Sequence, residues 1–313
     1  MPIVKGPILL LGAHGQVGGE ALPLLRELGE VVSLTRAELD LADGAAVRAA
    51  VRELKPRWIV NAAAYTAVDK AESDLRTAYA LNGELPGILG EEAGRIGAVV
   101  IHFSTDYVFS GEGSRPWRED DATGPLSVYG ASKLAGERTL AESGAGHFIF
   151  RTSWVFGARG ENFLRRILQL ALEREELKIV DDQVGSPTWS RTLARLVEHT
   201  IRRAEEGTKL NGGDLDEAVR PVGGVYHASS MGYTTWFDFA TEFVQIARKA
   251  MPEKTLAKLV GIPSSAYPTA AARPKNSRLN CEKLAQGLEF EVPDWRSATR
   301  EVMEEVLAEM RTR

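Results

Sequence analysis

Short apolar runs alternate with longer amphipathic stretches through the first half of the chain. The apolar runs are hydrophobic at successive positions, which is typical of strands buried on both faces. The predicted strands are residues 8–11, 31–34, 58–61, 99–103 and 148–152. The predicted helices are residues 17–28, 45–54, 74–92 and 128–142. This alternation predicts a Rossmann-like, doubly wound α/β fold with a parallel sheet covered by helices.

The second half of the chain is less regular. Its predicted helices are residues 162–175, 189–204, 235–250 and 295–313, with short strands at 177–180 and 225–228. The glycine-rich, charged segment 205–224 reads as an exposed loop. We expect a dinucleotide-binding domain at residues 1–156 and a smaller, mostly C-terminal substrate lobe at 157–313. Some later elements are expected to return to the first sheet.

Composition and charge exclude several classes of protein. The 313 residues include 38 Lys and Arg against 43 Asp and Glu, a net charge of −5 without a basic block, which argues against nucleic acid or an anionic membrane as partner. The longest apolar runs are far short of the ~20 residues of a membrane span, and the start of the chain has no signal-peptide pattern. Cys281, the single cysteine, cannot form an intrachain disulfide. We expect a soluble, cytoplasmic protein.

A glycine-rich turn follows the first predicted strand. Gly12, Gly15 and Gly18 are spaced as G-x-x-G-x-x-G between a strand and a helix. Glycine permits a tight turn and a close approach of the backbone to a pyrophosphate, which the N–H groups at the helix start then bind. Because this turn opens a βαβ unit, the pattern favours dinucleotide binding over a turn that merely contains glycines.

The end of the second strand indicates which dinucleotide is bound. An acidic residue there binds the ribose 2′-hydroxyl of NAD, whereas an arginine accepts the 2′-phosphate of NADP. Thr35 and Arg36 occupy this position, with Glu38 close by. We therefore expect NADPH as the preferred cofactor. NADH is the alternative if Arg36 is only a solvated surface charge.

Tyr129 and Lys133 lie one turn apart on a predicted helix. Reduction of a carbonyl by hydride needs a proton donor at the oxygen, and a tyrosine with its ordinary pKa of about 10 donates poorly at neutral pH unless a positive charge lowers that pKa. Lys133 can supply the charge and can also hold the ribose hydroxyls of the cofactor. A helix that carries both residues by chance is the alternative.

Thr105 and Asp106 end the predicted strand that begins at residue 99. Ligands of open α/β sheets bind at the carboxyl ends of the strands, so the Thr105 hydroxyl is placed to polarise a substrate carbonyl. Asp106 serves either as a turn or cap residue or as a substrate contact. The residues alone leave both roles of Asp106 open.

The glycine turn, Thr105, Tyr129 and Lys133, in this order, resemble the extended short-chain dehydrogenases/reductases. Five further blocks are similar to one family of that class, the dTDP-4-dehydrorhamnose reductases. They begin at Asn61, Ser104, Arg151, Asp182 and Arg273 and read NAAAYTAVDKAE, STDYVF, RTSWVF, DQVGSPT and RPKNSRL. The matching blocks extend from residue 8 to residue 280.

The resemblance implies reduction of the C4 ketone of dTDP-4-dehydro-L-rhamnose to dTDP-L-rhamnose by NAD(P)H, in the supply of precursors for cell-surface polysaccharides such as lipopolysaccharide. It implies that Tyr129 donates the proton, that Lys133 lowers the Tyr129 pKa and holds the ribose, and that Thr105 polarises the C4 oxygen. With Gly12 and Arg36 from the motifs above, the implied cofactor contacts are Gly12, Gly15, Gln16, Val17, Arg36, Asp40, Leu41, Ala64, Tyr65 and Thr66. Asp106 and Trp154 would contact the sugar nucleotide, although Trp154 is alternatively a core residue.

Two arginines and one departure from the family pattern concern the second half. Arg273 and Arg278 bracket a proline turn. A guanidinium there suits a diphosphate, and the alternative role is a structural ion pair. The pattern does not show which of the two arginines would bind the diphosphate. Some family members form a dimer bridged by magnesium through glutamates, and one expected glutamate position carries Arg191 here. We therefore expect a monomer or a homodimer without bridging metal. The five scattered histidines show no ligand spacing, so no catalytic metal is expected.

Two other functions remain open from the sequence. A nucleotide-sugar epimerase or dehydratase of the same superfamily would use its nicotinamide transiently and keep it bound. A non-catalytic subunit, resembling the regulatory partner of methionine adenosyltransferase, would bind a dinucleotide without turnover. The complete set of Thr105, Tyr129 and Lys133 favours a reductase, because a binding module needs no acid.

Overall fold

The computed structural model describes residues 6–211 and 214–312. Its strands, numbered along the chain, are β1 (Ile8–Leu11), β2 (Val31–Leu34), β3 (Trp58–Asn61), β4 (Val99–Thr105), β5 (His147–Thr152), β6 (Val155–Phe156), β7 (Glu176–Val180), β8 (Val184–Gly185), β9 (Thr188–Trp189), β10 (Gly224–His227), β11 (Thr234–Thr235) and β12 (Lys258–Ile262). Six of them form one parallel sheet in the order β10-β5-β4-β3-β1-β2. This sheet confirms the predicted Rossmann-like fold.

Helices connect and cover these strands. They are α1 (Gln16–Arg26), α2 (Gly44–Leu54), α3 (Val68–Ala71), α4 (Leu75–Tyr79), α5 (Leu85–Ile96), α6 (Val128–Glu142), α7 (Phe163–Glu173), α8 (Ser190–Asn211), α9 (Leu215–Val219), α10 (Trp236–Ala250), α11 (Glu282–Gly287) and α12 (Trp295–Thr312). Single turns of other helix types are the π-helical Ala80–Glu84 and the 3-10 turns Asp106–Val108 and Ser264–Ala266.

The two faces of the main sheet bury alternate residues of each strand. On β1, Ile8 and Leu10 join a core that includes residues of α1 and α8, whereas Leu9 and Leu11 join a core with α2 and α5. Side chains of successive strand residues point to opposite faces, so a sheet covered on both sides needs apolar residues at every position. This explains the uninterrupted apolar runs of the sequence.

The smaller lobe has a core of its own, separate from the two cores against the main sheet. α7, α10 and α12 pack together there around Leu164, Phe239, Phe243 and Trp295, and β7 pairs in parallel with β12 beside them. β10 lies beyond residue 157, yet it pairs with β5 as the edge strand of the main sheet. We propose the main sheet and its two cores as the dinucleotide-binding domain and the core of α7, α10 and α12 as the substrate lobe. The boundary between residues 156 and 157 stays a prediction.

The predicted loop at residues 205–224 is wrong for most of its length. α8 continues to residue 211, and α9 begins at Leu215. The Glu205 carboxylate accepts hydrogen bonds from Arg57 Nε at 2.8 Å and Trp58 Nε1 at 3.0 Å, which fixes this part of α8 to β3. Tertiary partners thus overrode the loop-like composition; residues 212 and 213 of the segment lie outside the described residues.

Candidate active site

The glycine turn after β1 is packed too closely for any other residue. Gly12 has φ +80°, in the left-handed region, and a Cβ on it would lie 2.7 Å from the Ala62 backbone. A Cβ on Gly18 would lie 2.1 Å from the Gly12 carbonyl oxygen. Gly15 precedes α1 and no side chain caps this helix, so no side chain competes with an anion for the N–H groups of its first turn.

The residues around this turn fit a dinucleotide. Gln16, at the start of α1, has a buried Oε1 atom with no hydrogen-bond partner among the described residues. The other predicted contacts follow neighbouring strands: Asp40 and Leu41 lie beyond β2, and Ala64, Tyr65 and Thr66 lie beyond β3. Since β2, β1 and β3 are adjacent and parallel, their carboxyl ends place all of these residues at one edge of the sheet.

Arg36 is exposed just beyond β2 and forms no ion pair with any residue in the described ranges. Glu38, the neighbouring acid, is engaged locally: its Oε2 accepts hydrogen bonds from the Thr35 N–H and hydroxyl, both at 2.7 Å. These bonds lower the Glu38 pKa. Arg36 is therefore the charged side chain left free at this strand end.

Asn82 is a site residue that the sequence reasoning missed. It lies in the π-helical turn that interrupts the predicted helix 74–92. Its Oδ1 accepts from Tyr65 N at 2.8 Å, and its Nδ2 donates to the Tyr65 carbonyl at 3.0 Å and to Ser132 Oγ at 3.1 Å. Asn82 thereby joins the loop after β3 to α6, and wide helical turns of this kind recur at functional sites.

Tyr129 lies in the first turn of α6, whose start is fixed by two side chains. Ser127 Oγ accepts from Gly130 N at 3.2 Å, and Glu72 Oε1 accepts from Val128 N at 2.8 Å. The Tyr107 ring packs edge-on against the Tyr129 ring, with centroids 5.5 Å apart. The phenol is thus held at the carboxyl end of β4.

Thr105 and Asp106 lie beside this phenol. Thr105 Oγ1 accepts from Tyr107 N at 3.2 Å, which makes Thr105 the cap of the 3-10 turn, and it donates to Asp106 Oδ1 at 3.1 Å. The other carboxylate oxygen of Asp106 is buried with no described partner. Burial raises the Asp106 pKa to about 6. Hydrogen bonds from Ser277 and Thr105 to the Asp106 carboxyl oppose this effect of burial. Thr105 is the residue that caps the turn, and the substrate contact of Asp106 stays a prediction.

Lys133 does not act on the Tyr129 pKa in this structure, and its expected role stays a prediction. Burial raises the Tyr129 pKa to about 12, against a hydrogen bond from Thr105 that lowers it, and Lys133 is not among the groups that shift it. Lys133 Nζ instead points inward, where it donates to the Phe103 carbonyl and lies 3.1 Å from His102 Nε2. Burial lowers the Lys133 pKa to about 7.

A cavity of about 760 Å³ opens between the two lobes beside Tyr107. It combines aromatic with cationic side chains, as a base and a diphosphate require. The aromatic and cationic residues of its lining include Phe163, Arg166, Lys178, Trp236, Arg273 and Lys275. Of these, sequence reasoning had named only Arg273.

Trp154 lies beside this cavity in a special backbone conformation. Its φ of +48° is in the left-handed region, which is uncommon for a bulky residue and is found at ligand-binding positions. One face of the Trp154 indole is covered by Trp236, with ring centroids 3.6 Å apart. Trp236 lines the cavity, and its ring centroid also lies 4.5 Å from that of Phe163. The substrate contact of Trp154 stays a prediction.

The structure separates the two arginines that the sequence could not rank. Arg273 lines the cavity and pairs with Asp69, with Nη2 2.7 Å from Oδ2. Arg278 instead donates to Asn276 Oδ1 at 3.0 Å. Arg273 thus lines the cavity and also forms a structural ion pair, and a contact of either arginine with the diphosphate stays a prediction.

Arg191 occupies the position where the resemblance placed a glutamate. Its guanidinium pairs with Glu20 of α1 at 2.7 Å and Glu305 of α12 at 2.5 Å, so it joins the cofactor domain to the substrate lobe. Throughout the described ranges, no three His, Cys, Asp or Glu side chains come together as metal ligands. The absence of a metal-bridged dimer stays a prediction. None of the helices in the described part of the chain is apolar over enough residues to span a membrane.

The parallel sheet, the glycine turn and the Thr105, Tyr129 and Lys133 set define an extended short-chain dehydrogenase/reductase. The model of the RmlD substrate binding domain family matches residues 6–308. A dTDP-4-dehydrorhamnose reductase of Burkholderia thailandensis is 46% identical over 304 residues, covering 96% of this chain and 99% of the relative. One from Escherichia coli K12 is 45% identical over 303 residues, covering 96% and 97%.

A solved structure gives the same result. The crystal structure of dTDP-4-dehydrorhamnose reductase from Bacillus anthracis in complex with NADP has a TM-score of 0.84 to this chain at 30% identity, covering 96% of this chain and 99% of that one. The chain belongs to the dTDP-4-dehydrorhamnose reductase family. This confirms the resemblance seen in the sequence and its assignment as an oxidoreductase.

Proposed function

We propose that this chain reduces the C4 ketone of dTDP-4-dehydro-L-rhamnose to dTDP-L-rhamnose with NADPH, and with NADH as a weaker substitute. The observation that carries the proposal is the hydrogen-bonded Thr105 and Tyr129 pair, which lies against Tyr107, a residue that lines a cavity with cationic and aromatic walls. The names of the relatives and the NADP complex of the Bacillus anthracis enzyme support both the substrate and the cofactor.

Each member of the catalytic set has a separate task. A bound nicotinamide dinucleotide supplies the hydride. Burial raises the Tyr129 pKa and keeps the phenol protonated at neutral pH. Tyr129 donates this proton to the ketone oxygen as charge develops there, and a charged Lys133 nearby would favour the transfer by lowering the Tyr129 pKa. Thr105 hydrogen-bonds the same oxygen and lowers the cost of that charge. Lys133 would hold the ribose hydroxyls and stabilise the tyrosinate in its charged form, once its amine turns from the Phe103 carbonyl towards the cofactor.

The cavity supplies the contacts to the sugar nucleotide. Arg273 and Lys275 bind the diphosphate, and the part of the Trp236 indole that lines the cavity contacts the thymine or the deoxysugar. Asp106 accepts a sugar hydroxyl through its free oxygen. Trp154 stacks on Trp236 and holds its ring in place. The protein would work without metal, in the cytoplasm, as a monomer or homodimer.

The reaction is tested by incubating the purified protein with NADPH or NADH and a panel of 4-keto nucleotide sugars. We expect one NADPH oxidised per dTDP-4-dehydro-L-rhamnose consumed, with dTDP-L-rhamnose as product by mass spectrometry. Tightly bound NAD that turns over without net oxidation would instead favour an epimerase or dehydratase. No reduction of any ketone, together with a stable heteromeric partner, would favour a regulatory subunit.

Removing the Arg36 side chain tests the cofactor preference. We expect Arg36→Ala to raise the Kd for NADPH by roughly 10–100-fold, the loss of a charge-assisted contact of about 1.5–3 kcal/mol, and to leave the Kd for NADH little changed. Quenching of tryptophan fluorescence by each cofactor gives both constants. Arg26→Ala, at the far end of α1, is the control for a change in net charge. Equal weakening of both cofactors would show that Arg36 does not contact the 2′-phosphate.

A further inference from the structure

A buried polar cluster lies on the inner side of Lys133, and the reaction proposed above uses only one of its members. His102 on β4 has no exposed surface and lies between Asn61 of β3 and Lys133 of α6. Its Nδ1 is 3.1 Å from Asn61 Nδ2, and its Nε2 is 3.1 Å from Lys133 Nζ. Each ring nitrogen of His102 therefore has one hydrogen-bonding neighbour.

The donors and acceptors of the cluster determine where its protons are. Asn61 Oδ1 accepts from Ala63 N at 3.3 Å, so the amide nitrogen is the atom that faces His102. An amide nitrogen only donates, and His102 Nδ1 must then accept. In a neutral imidazole the proton is therefore on Nε2.

This tautomer restricts the charge of Lys133. The Nε2–H group points at Lys133 Nζ, and an ammonium has no lone pair to accept it. Lys133 satisfies both of its contacts only as a neutral amine, which accepts from His102 and donates to the Phe103 carbonyl. A charged Lys133 needs the opposite tautomer, with Nε2 accepting and Nδ1 protonated.

The opposite tautomer also changes Asn61. A protonated Nδ1 needs an acceptor, so the Asn61 amide must rotate to present Oδ1 and give up its bond from Ala63 N. We propose that Asn61 and His102 are positioning residues that couple the charge of Lys133 to the tautomer of His102. The two states differ by one proton, which is gained or lost by the cluster as a whole.

The electrostatic surroundings favour exchange between these states near neutral pH. Burial lowers the Lys133 pKa to about 7, and Glu137 opposes this from the next turn of α6. Burial and the charge of Lys133 hold the His102 pKa well below its usual value, with a smaller contribution from His147 of β5, so His102 stays neutral. Arg151, also of β5, is paired with Glu137.

The consequence for catalysis depends on the function proposed above. Only the ammonium form of Lys133 stabilises a tyrosinate, so the cluster decides at which pH this form is available. As the pH rises through the Lys133 pKa, the amine becomes neutral and is held inward by His102. We expect the kcat/KM of the wild type to fall on this alkaline side.

The coupling is tested by ¹⁵N NMR of the histidine rings in protein without added cofactor. The chemical shifts of Nδ1 and Nε2 report directly which nitrogen is protonated, and His102→Gln identifies the His102 signals. At pH 9 we expect the proton on Nε2, and at pH 5.5 on Nδ1, with both forms neutral and a midpoint of about 7. One tautomer at all pH values, or an imidazolium at low pH, would refute the coupling.

Two variants locate the origin of the switch. In Lys133→Met the titrating partner is gone, so His102 should keep its proton on Nε2 at every pH. In Asn61→Asp the carboxylate can only accept, so the proton should stay on Nδ1 at every pH. A switch that survives both substitutions would contradict the proposal. These spectra need no substrate, so they test the coupling even if the protein does not reduce the sugar. A fixed tautomer in a protein that does reduce the sugar would refute the coupling and leave the proposed function intact.

Discussion

Tyr129→Phe is expected to lower kcat by about 10²–10⁴-fold, because the variant loses the acid that protonates the ketone oxygen. The cofactor Kd should change little, since the glycine turn and Arg36 are untouched. The ring and its packing against Tyr107 remain, so the melting temperature should stay close to that of the wild type. Steady-state oxidation of NADPH and a fluorescence titration of the cofactor measure the two quantities.

A matched control removes a hydroxyl elsewhere. Tyr226 on β10 donates its hydroxyl proton to the Val222 carbonyl, outside the site, and Tyr226→Phe should keep kcat near the wild-type value. If Tyr129→Phe and Tyr226→Phe had similar turnover, Tyr129 would not be the proton donor. A raised cofactor Kd with unchanged kcat would assign Tyr129 to binding instead.

The main sheet was predictable because each of its strands is marked by a pattern of consecutive apolar residues in the local sequence. Strands buried on both faces must be apolar at consecutive positions, and the predicted bounds of β1, β2 and β3 agree with the structure. The chemistry at the strand ends was predictable for a related reason. Parallel strands end at one edge, so Gly12, Thr105 and the residues after β3 had to meet there.

The missed features depend on contacts between distant parts of the chain. Asn82 gains its role from a helical turn that widens, and no pattern in residues 74–92 marks that turn. Trp236 lies at the start of a predicted helix, and its place in the cavity wall and its stacking on Trp154 are visible only in the structure. Glu205 stood in a loop-like composition, yet its bonds to Arg57 and Trp58 keep that segment helical.

The charge state of the site was the least predictable part. Spacing placed Tyr129 and Lys133 on one helix face, but it gave no information about the rotamer of the lysine. The neighbouring β4 offers the Phe103 carbonyl and His102 to the buried amine, and these contacts turn Lys133 inward. Burial then dominates the pKa values of both residues, in opposite directions.

A buried ion pair holds α6 in place one turn beyond Lys133. Arg151 donates to Glu137 from Nε at 2.9 Å and from Nη2 at 2.7 Å, and Ser104 Oγ donates to the same carboxylate at 2.5 Å. The Arg151 and Glu137 side chains are each only 5% exposed, so water cannot solvate their charges. Each charge is therefore stabilised mainly by the opposite charge of its partner. The pair connects α6, which carries Lys133, to β5, and Ser104 connects it to β4, which carries Thr105.

Arg151→Met is expected to lower the free energy of unfolding by about 3–5 kcal/mol, because it leaves the Glu137 carboxylate buried without its cation. Urea unfolding followed by circular dichroism measures the loss from the midpoint and slope. The double variant Arg151→Met with Glu137→Leu removes both charges and should recover most of the lost stability. Arg202→Met, which breaks a solvent-exposed pair with Glu198, should cost at most ~1 kcal/mol. A loss in Arg151→Met no larger than in Arg202→Met, or no recovery in the double variant, would show that the buried pair does not hold α6 as described.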